Sequence, residues 1–188
     1  MFSAHFTLLQ FFFFNTRLHT LKWWKVGKSG GFMPGFIGRE LHSVDEKGRL
    51  LIPARFRRRF LSQEEASGAG ASGRAALELY VFKADDGSLE LYEPSVWNEK
   101  ERQLLKLSDF NPDERLLTTM IYARLDQLEL DRAGRIALSR EMLDHAGIVK
   151  DAVIVGANAK MVLWEPLRLE RLLNDNAGRF APLASRYI

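Results

Sequence analysis

The sequence predicts a β-rich α+β fold built from two tandem copies of one unit, which together form an intrachain pseudo-dimer with flanking helices. Three observations carry this reading. The pattern D-x-x-G-R followed by Leu or Ile occurs twice, from Asp45 to Leu50 and from Asp131 to Ile136. A second matching pair lies downstream, GSLELYEP from Gly87 and AKMVLWEP from Ala159. A unit of roughly fifty residues with four short strands makes a poor core alone, so two copies need to share one.

Each unit reads as strand, turn, strand, short helix, two strands, helix. Leu41–Val44 and Gln127–Leu130 approach the two motifs as strands. An Asp at the first position of a turn accepts hydrogen bonds from amides two or three residues on, and a Gly at the fourth takes positive φ without a Cβ clash. Asp45 with Gly48, and Asp131 with Gly134, therefore form type I turns closed by a glycine bulge, each heading a hairpin. LLIPARF and ALSREML follow as short apolar runs leading into short helices. LELYVF and SLELY then flank a turn at Asp85-Asp86-Gly87, while AVIVG and MVLW flank Asn158-Ala159-Lys160.

Helices start near Pro94 and Pro166, where a first helical turn tolerates proline. EKERQLLKL and PDERLLTTMIYARL, apolar at helical spacing, supply two helices between the copies. The copies differ by an insertion, SQEEASGAGASGRA at 62–75, whose Gly, Ser and Ala without apolar periodicity predict a surface loop. The predicted organisation is a first unit over 39–95, connecting helices over 96–123, a second unit over 124–167, and a C-terminal helix and tail over 168–188.

Composition narrows the function. The absence of cysteine excludes a disulfide scaffold, a zinc ribbon and a cysteine nucleophile. His5, His19, His42 and His145 have no metal-ligand spacing, and there is no G-x-S-x-G and no glycine-rich phosphate loop. These absences predict no enzyme, no cofactor, no metal and no small-molecule substrate. The net charge of +3 is no argument for a polyanionic partner, because Arg17, Lys22, Lys25 and Lys28 in the first 32 residues account for it. The distribution is more telling: Lys47, Arg49, Arg55, Arg57, Arg58 and Arg59 form a run of bases with no acid before Glu64. Such a concentrated patch suits a phosphate-facing edge.

Residues 1–32 differ from the rest. The apolar run Phe6–Phe14 is far shorter than the roughly 20 residues that span a bilayer, and its positive charges follow it, the reverse of a signal peptide. The expectation is that this segment is unstructured or a mis-assigned start, that Met33 is the natural first residue, and that no membrane is a partner.

Turn chemistry accounts for Asp and Gly in both motifs but not for the arginine after each glycine. Arg49 and Arg135 are expected to emerge from equivalent places on one face, with Lys47 and Arg132 projecting from the turns themselves.

The whole pattern, GRELHSVDEKGRLLIPARFR with the second DRAGRI and a late WEP, resembles the MraZ family of bacterial regulators over about residues 33–170. That resemblance implies two tandem AbrB-like (SpoVT-AbrB) swapped-hairpin units assembling into a ring-shaped homo-oligomer. The implied partner is double-stranded DNA carrying promoter direct repeats upstream of the division and cell-wall gene cluster, including the protein's own gene, usually under repression. The implied location is the cytoplasm, associated with the nucleoid. It implies Arg49 as principal reader, Lys47 and Arg55 as phosphate or base partners, and Arg57, Arg58 and Arg59 as flanking phosphate or ring contacts. Arg132 and Arg135 are the second copy's counterparts, in a field diluted by Asp131 and Glu141. Two departures from the family stand out: the 62–75 loop is longer than expected, and Ser139 and Arg140 stand where the first copy has Pro53 and Ala54. The rival is an AbrB-like antitoxin or protein-interaction module, against which the duplicated unit and the short, weakly charged tail speak.

Overall fold

The computed structural model describes residues 35–58 and 77–188. The expectations for residues 1–32, for Arg59 and for the 62–75 loop fall outside the described residues.

The first copy contributes β1 (Phe36–Ser43), β2 (Arg49–Leu51), a helix α1 described over 54–58, β3 (Glu78–Lys83), β4 (Leu89–Tyr92) and α2 (Pro94–Leu104). After α3 (Pro112–Tyr122), the second contributes β5 (Leu125–Glu129), β6 (Arg135–Ala137), α4 (Arg140–Ala146), β7 (Asp151–Asn158), β8 (Lys160–Trp164) and α5 (Pro166–Asp175). Residues expected to form a tail are helical: a 3-10 turn at Ala177–Arg179 leads into α6 (Phe180–Tyr187).

The fold is α+β, and every strand pair is antiparallel. Six strands form one sheet in the order β1-β7-β8-β4-β3-β5, and β2 and β6 form a separate two-stranded ribbon. The centre of the sheet is the pairing of the two copies through β4 and β8, with Leu89 opposite Leu163 and Leu91 opposite Met161. Outward from this centre the arrangement repeats: each copy makes its own β3–β4 or β7–β8 hairpin, and the first strand of the other copy then closes the edge. β1 lies on β7, from Phe36 opposite Asn158 to Ser43 opposite Asp151, and β5 lies on β3.

At each D-x-x-G-R motif the expected turn heads only a short hairpin, closed by the Asp45 amide on Arg49 and the Asp131 amide on Arg135. The turn itself forms, but the flanking strands separate after a single bridge, Val44 to Leu50, because β1 leaves for β7 and β2 for β6.

The main core lies between the sheet and the layer of ribbon and short helices. Leu50, Ile52 and Phe56 of the first copy meet Ile136, Leu138 and Met142 of the second there, all buried, over Leu79, Leu91, Ile154 and Leu163. Phe36 from β1 sets its ring edge-on to Phe56, 5.5 Å between centroids at 89°. The sheet's other face is covered by α2 and α3 on one half and by α5 on the other. Trp97 of α2 packs with Tyr92, Leu104 and Ile121, and stacks on Tyr80 at 5.7 Å. At the corresponding place on the other half, Leu169 of α5 packs with Val153, Val162 and Trp164. Proline at the first turn begins α2, α3 and α5, and Asn111 caps α3 by accepting from the Asp113 amide at 3.0 Å.

Candidate nucleic-acid interface

The ribbon is built by three residues from each copy. Arg49 faces Ala137, Leu50 faces Ile136 and Leu51 faces Arg135. Strand alternation turns Leu50 and Ile136 into the core and the other four outward, so Arg49 and Arg135 share the ribbon's outer face on a diagonal. Since the strands are antiparallel, the two D-x-x-G turns sit at opposite ends.

Both turns have the same internal chemistry. Gly48 takes φ 74° and its amide donates to the Asp45 carbonyl at 2.9 Å; Gly134 takes φ 81° and donates to Asp131 at 2.8 Å. The glycine carbonyls then tie the copies together, accepting from Leu138 (to Gly48, 2.9 Å) and from Ile52 (to Gly134, 3.0 Å). Asp45 Oδ1 accepts from the amides of Lys47 and Arg49, both at 2.9 Å, and Asp131 Oδ1 accepts from Ala133 and Arg135 at 2.8 and 2.9 Å.

The second carboxylate oxygen performs a task the sequence reading did not assign. Asp45 Oδ2 accepts from Arg49 Nε and Nη2, each at 2.7 Å, and Asp131 Oδ2 accepts from Arg135 Nε at 2.8 Å. Both arginines keep about a third of their side chain exposed, 34% in each copy. The Arg49 side chain, then its amide, hold the Asp45 carboxyl down at about 2 against an ordinary 3.8. The Asp131 carboxyl is also lowered, mainly by the Arg135 amide and then by its side chain. Asp45 in turn raises the Arg49 guanidinium, to which Asp131 adds a smaller effect. The spacing was a readable signal: an acid and a base four apart across a bulged turn lie side by side.

The remaining basic residues are spread more widely than their run in the sequence suggests. Lys47 and Arg132 are exposed at the tips of their own turns. Arg55 points back to β1, with Nε 2.5 Å from Glu40 Oε1 and its guanidinium 4.7 Å over the Phe56 ring. Arg57 crosses to the second copy's turn, its Nη1 donating to the Ala133 carbonyl at 3.5 Å, with its Nε buried and without a hydrogen-bond partner among the described residues. Its guanidinium lies against Gly134, where a Cβ would overlap it. Arg58 is exposed. Thus the second turn gathers Arg132, Arg135 and Arg57, while the first has Lys47 and Arg49 with Leu143 packed behind Gly48. The structure places six of the eight candidate cations, Lys47, Arg49, Arg57, Arg58, Arg132 and Arg135, on the ribbon, its turns or α1; Arg55, also on α1, pairs with Glu40 of β1, and Arg59 falls outside the described residues.

On α4, acids stand where α1 has bases. Glu141 lies 2.5 Å from the buried Lys83 of β3, which Asp126 of β5 also approaches at 3.7 Å. Lys83 lowers the Glu141 carboxyl. No helix among the described residues is long and apolar enough to cross a membrane.

A face of this kind can offer planar, oriented guanidinium groups on a strip two strands wide, with flexible cations at both ends. Comparison with known proteins agrees with the duplication. A family model described as "MraZ protein, putative antitoxin-like" matches twice, over residues 36–120 and 121–186. Transcriptional regulator MraZ of Chlorobaculum tepidum is 85% identical over 156 residues, which cover 83% of this chain and all of that relative. The proteins of the same name from Chlorobaculum parvum and Prosthecochloris aestuarii are 75% and 60% identical, over 83% and 82% of this chain and 94% and 99% of their own lengths.

Proposed function

This chain belongs to the MraZ family, and from that premise we propose that it is a sequence-specific DNA-binding transcriptional regulator reading the major groove with the β2–β6 ribbon. The observation that carries the reading is the pair of arginines on one outward face of a two-stranded ribbon. A B-DNA major groove about 12 Å wide admits such a ribbon, and arginine to guanine O6 and N7 is the commonest specific contact. Arg49 is the principal reader and Arg135 its counterpart. Lys47, Arg132, Arg57 and Arg58 supply phosphate contacts, which give affinity with steep salt dependence.

The finer features follow the family resemblance. The units are AbrB-like swapped hairpins, a description supported by the exchanged edge strands. The protein acts in the cytoplasm on direct repeats ahead of the division and cell-wall genes, its own included, as a repressor. A single ribbon offers few base contacts, so a ring of copies engaging several repeats raises the effective concentration of each reader for the next.

The test is a fluorescence anisotropy titration, at fixed salt, of duplex DNA from the region directly upstream of the protein's own coding sequence. Arg49→Ala is expected to weaken binding at least about tenfold, the scale of one bidentate base contact, with the fold retained in its thermal melt. Equal binding by wild type and variant removes Arg49 from the reading role.

A further inference from the structure

We propose that Asp45 and Asp131 are positioning residues for DNA recognition, each fixing its arginine so that the guanidinium's Nη end is presented to a base edge. The proposal rests on the DNA reading above and adds residues that a charge argument would discard, since a carboxylate beside a polyanion should only weaken binding.

The geometry divides each carboxylate between two tasks. Oδ1 serves the turn, taking two backbone amides in each copy. Oδ2 serves the arginine. At the first turn it takes Nε and Nη2 of Arg49, both at 2.7 Å, along one side of the guanidinium. A guanidinium carries five N–H donors in a rigid plane. Using the Nε side leaves the Nη1–Nη2 end as a pair of parallel donors directed away from the carboxylate, the pattern that matches guanine O6 and N7. At the second turn the Nε bond to Asp131 Oδ2, 2.8 Å, sets the same orientation.

An unrestrained arginine loses rotamer freedom when it docks, which weakens binding by an amount comparable to a good contact. An arginine already held by a carboxylate on its own turn has lost much of that freedom beforehand. The turn amides fix the carboxylate in its place, so orientation passes from backbone to Asp to Arg.

Asp45→Asn separates the two tasks with a change of one atom. The amide oxygen still accepts from Lys47 and Arg49, while an NH2 group replaces the oxygen that held the guanidinium. The full-length chain is titrated against two labelled duplexes: the region directly upstream of its own coding sequence, and a shuffled duplex of equal length and composition. Wild type, Asp45→Asn, Asp131→Asn, Arg49→Ala and Asp45→Asn/Arg49→Ala are compared, with thermal melts of each.

The expected result is a change of opposite sign on the two probes. Asp45→Asn binds the upstream duplex about tenfold more weakly and the shuffled duplex at least as tightly as wild type, because a negative charge near phosphate has gone. In the Arg49→Ala background the same substitution produces no further loss. Asp131→Asn shows the same pattern at smaller size, and decides the matter should Asp45→Asn prove unfolded in its melt. A wild-type chain that binds both duplexes equally overturns the DNA reading and the proposal with it. Wild-type preference for the upstream duplex, undiminished in folded Asp45→Asn, overturns the positioning role alone. A further loss in the double variant does the same, since Asp45 would then act through something other than Arg49.

Discussion

The two copies agree at their turns and diverge one helix later. From Asp45 to Leu50 and from Asp131 to Ile136, the hydrogen bonds, the positive-φ glycine and even the exposure of the arginine coincide. Past the ribbon, Arg55, Phe56, Arg57 and Arg58 occupy the positions that Glu141, Met142, Leu143 and Asp144 hold in the second copy. The buried member of each set is apolar and the outward ones are opposite in charge. Contacts that tie one copy to the other therefore restrict the sequence to one solution, whereas surfaces facing solvent leave it free to specialise. Arg57 and Leu143 show the boundary between the regimes, since both pack against the other copy's turn glycine yet only one carries charge there.

The glycines provide the sharpest way to break the likeness. At Gly48 a Cβ would stand 2.6 Å from the Leu138 carbonyl oxygen, a backbone atom just past β6, whereas at Gly134 its nearest neighbours are atoms of the flexible Arg57 side chain. Alanine also resists positive φ by about 1–2 kcal/mol. Gly48→Ala should therefore destabilise by about 3 kcal/mol and Gly134→Ala by only about 1–2 kcal/mol in urea unfolding. Equal losses would mean that the two turns are mechanically equivalent after all.

Helix entry gives a smaller difference. Ser139 Oγ accepts from the Met142 amide at 3.2 Å, while Pro53, at the matching place, has no side-chain acceptor. Ser139→Ala should cost about 1 kcal/mol, measured in the same unfolding assay. Next comes Arg57→Leu, which gives the first copy the second copy's residue. It should lower affinity for shuffled DNA a few-fold, reduce the salt slope by about one charge, and leave the melt unchanged or slightly raised as the Nε, unpartnered among the described residues, disappears. A selective loss on the upstream duplex would instead assign Arg57 to base reading.

The smallest expected effect is acid dependence. Asp45 has a folded carboxyl at about 2 against an ordinary 3.8, so its ionised form favours the fold. That contribution is complete above about pH 4 and lost as pH falls toward 2. The stability gap between wild type and Asp45→Asn should close across this window in acid unfolding followed by circular dichroism. A gap that persists below it would show that the substitution acts through packing.

Much of this was legible. The turn residues Asp45, Gly48, Asp131 and Gly134 announce their geometry because few residue types tolerate that backbone, and Pro94, Pro112 and Pro166 mark helix starts for the same local reason. What remained hidden is non-local. Nothing in β1 says that its partner is β7 and not the adjacent β2, because the alternation of Phe36, Gly38 and Glu40 fits either neighbour. The cluster RFRRR reads as one patch, yet Arg55 goes to Glu40 and Arg57 to the far turn. The Asp45–Arg49 pair follows from spacing alone, an acid and a base four apart across a bulged turn, but the same Asp also serves the turn amides, so its second task shows only in three dimensions.

Exchange of the edge strands also has a consequence for how the protein is made. β1 is the first described strand to leave the ribosome, and its partner β7 ends at Asn158. At roughly 5–20 residues per second, its backbone groups wait several seconds or more for a partner, next to a β2 whose own partner β6 is also unmade. During that interval the first copy's edge strands stand open, so the order of translation makes the first copy's sheet wait on the second copy for its completion.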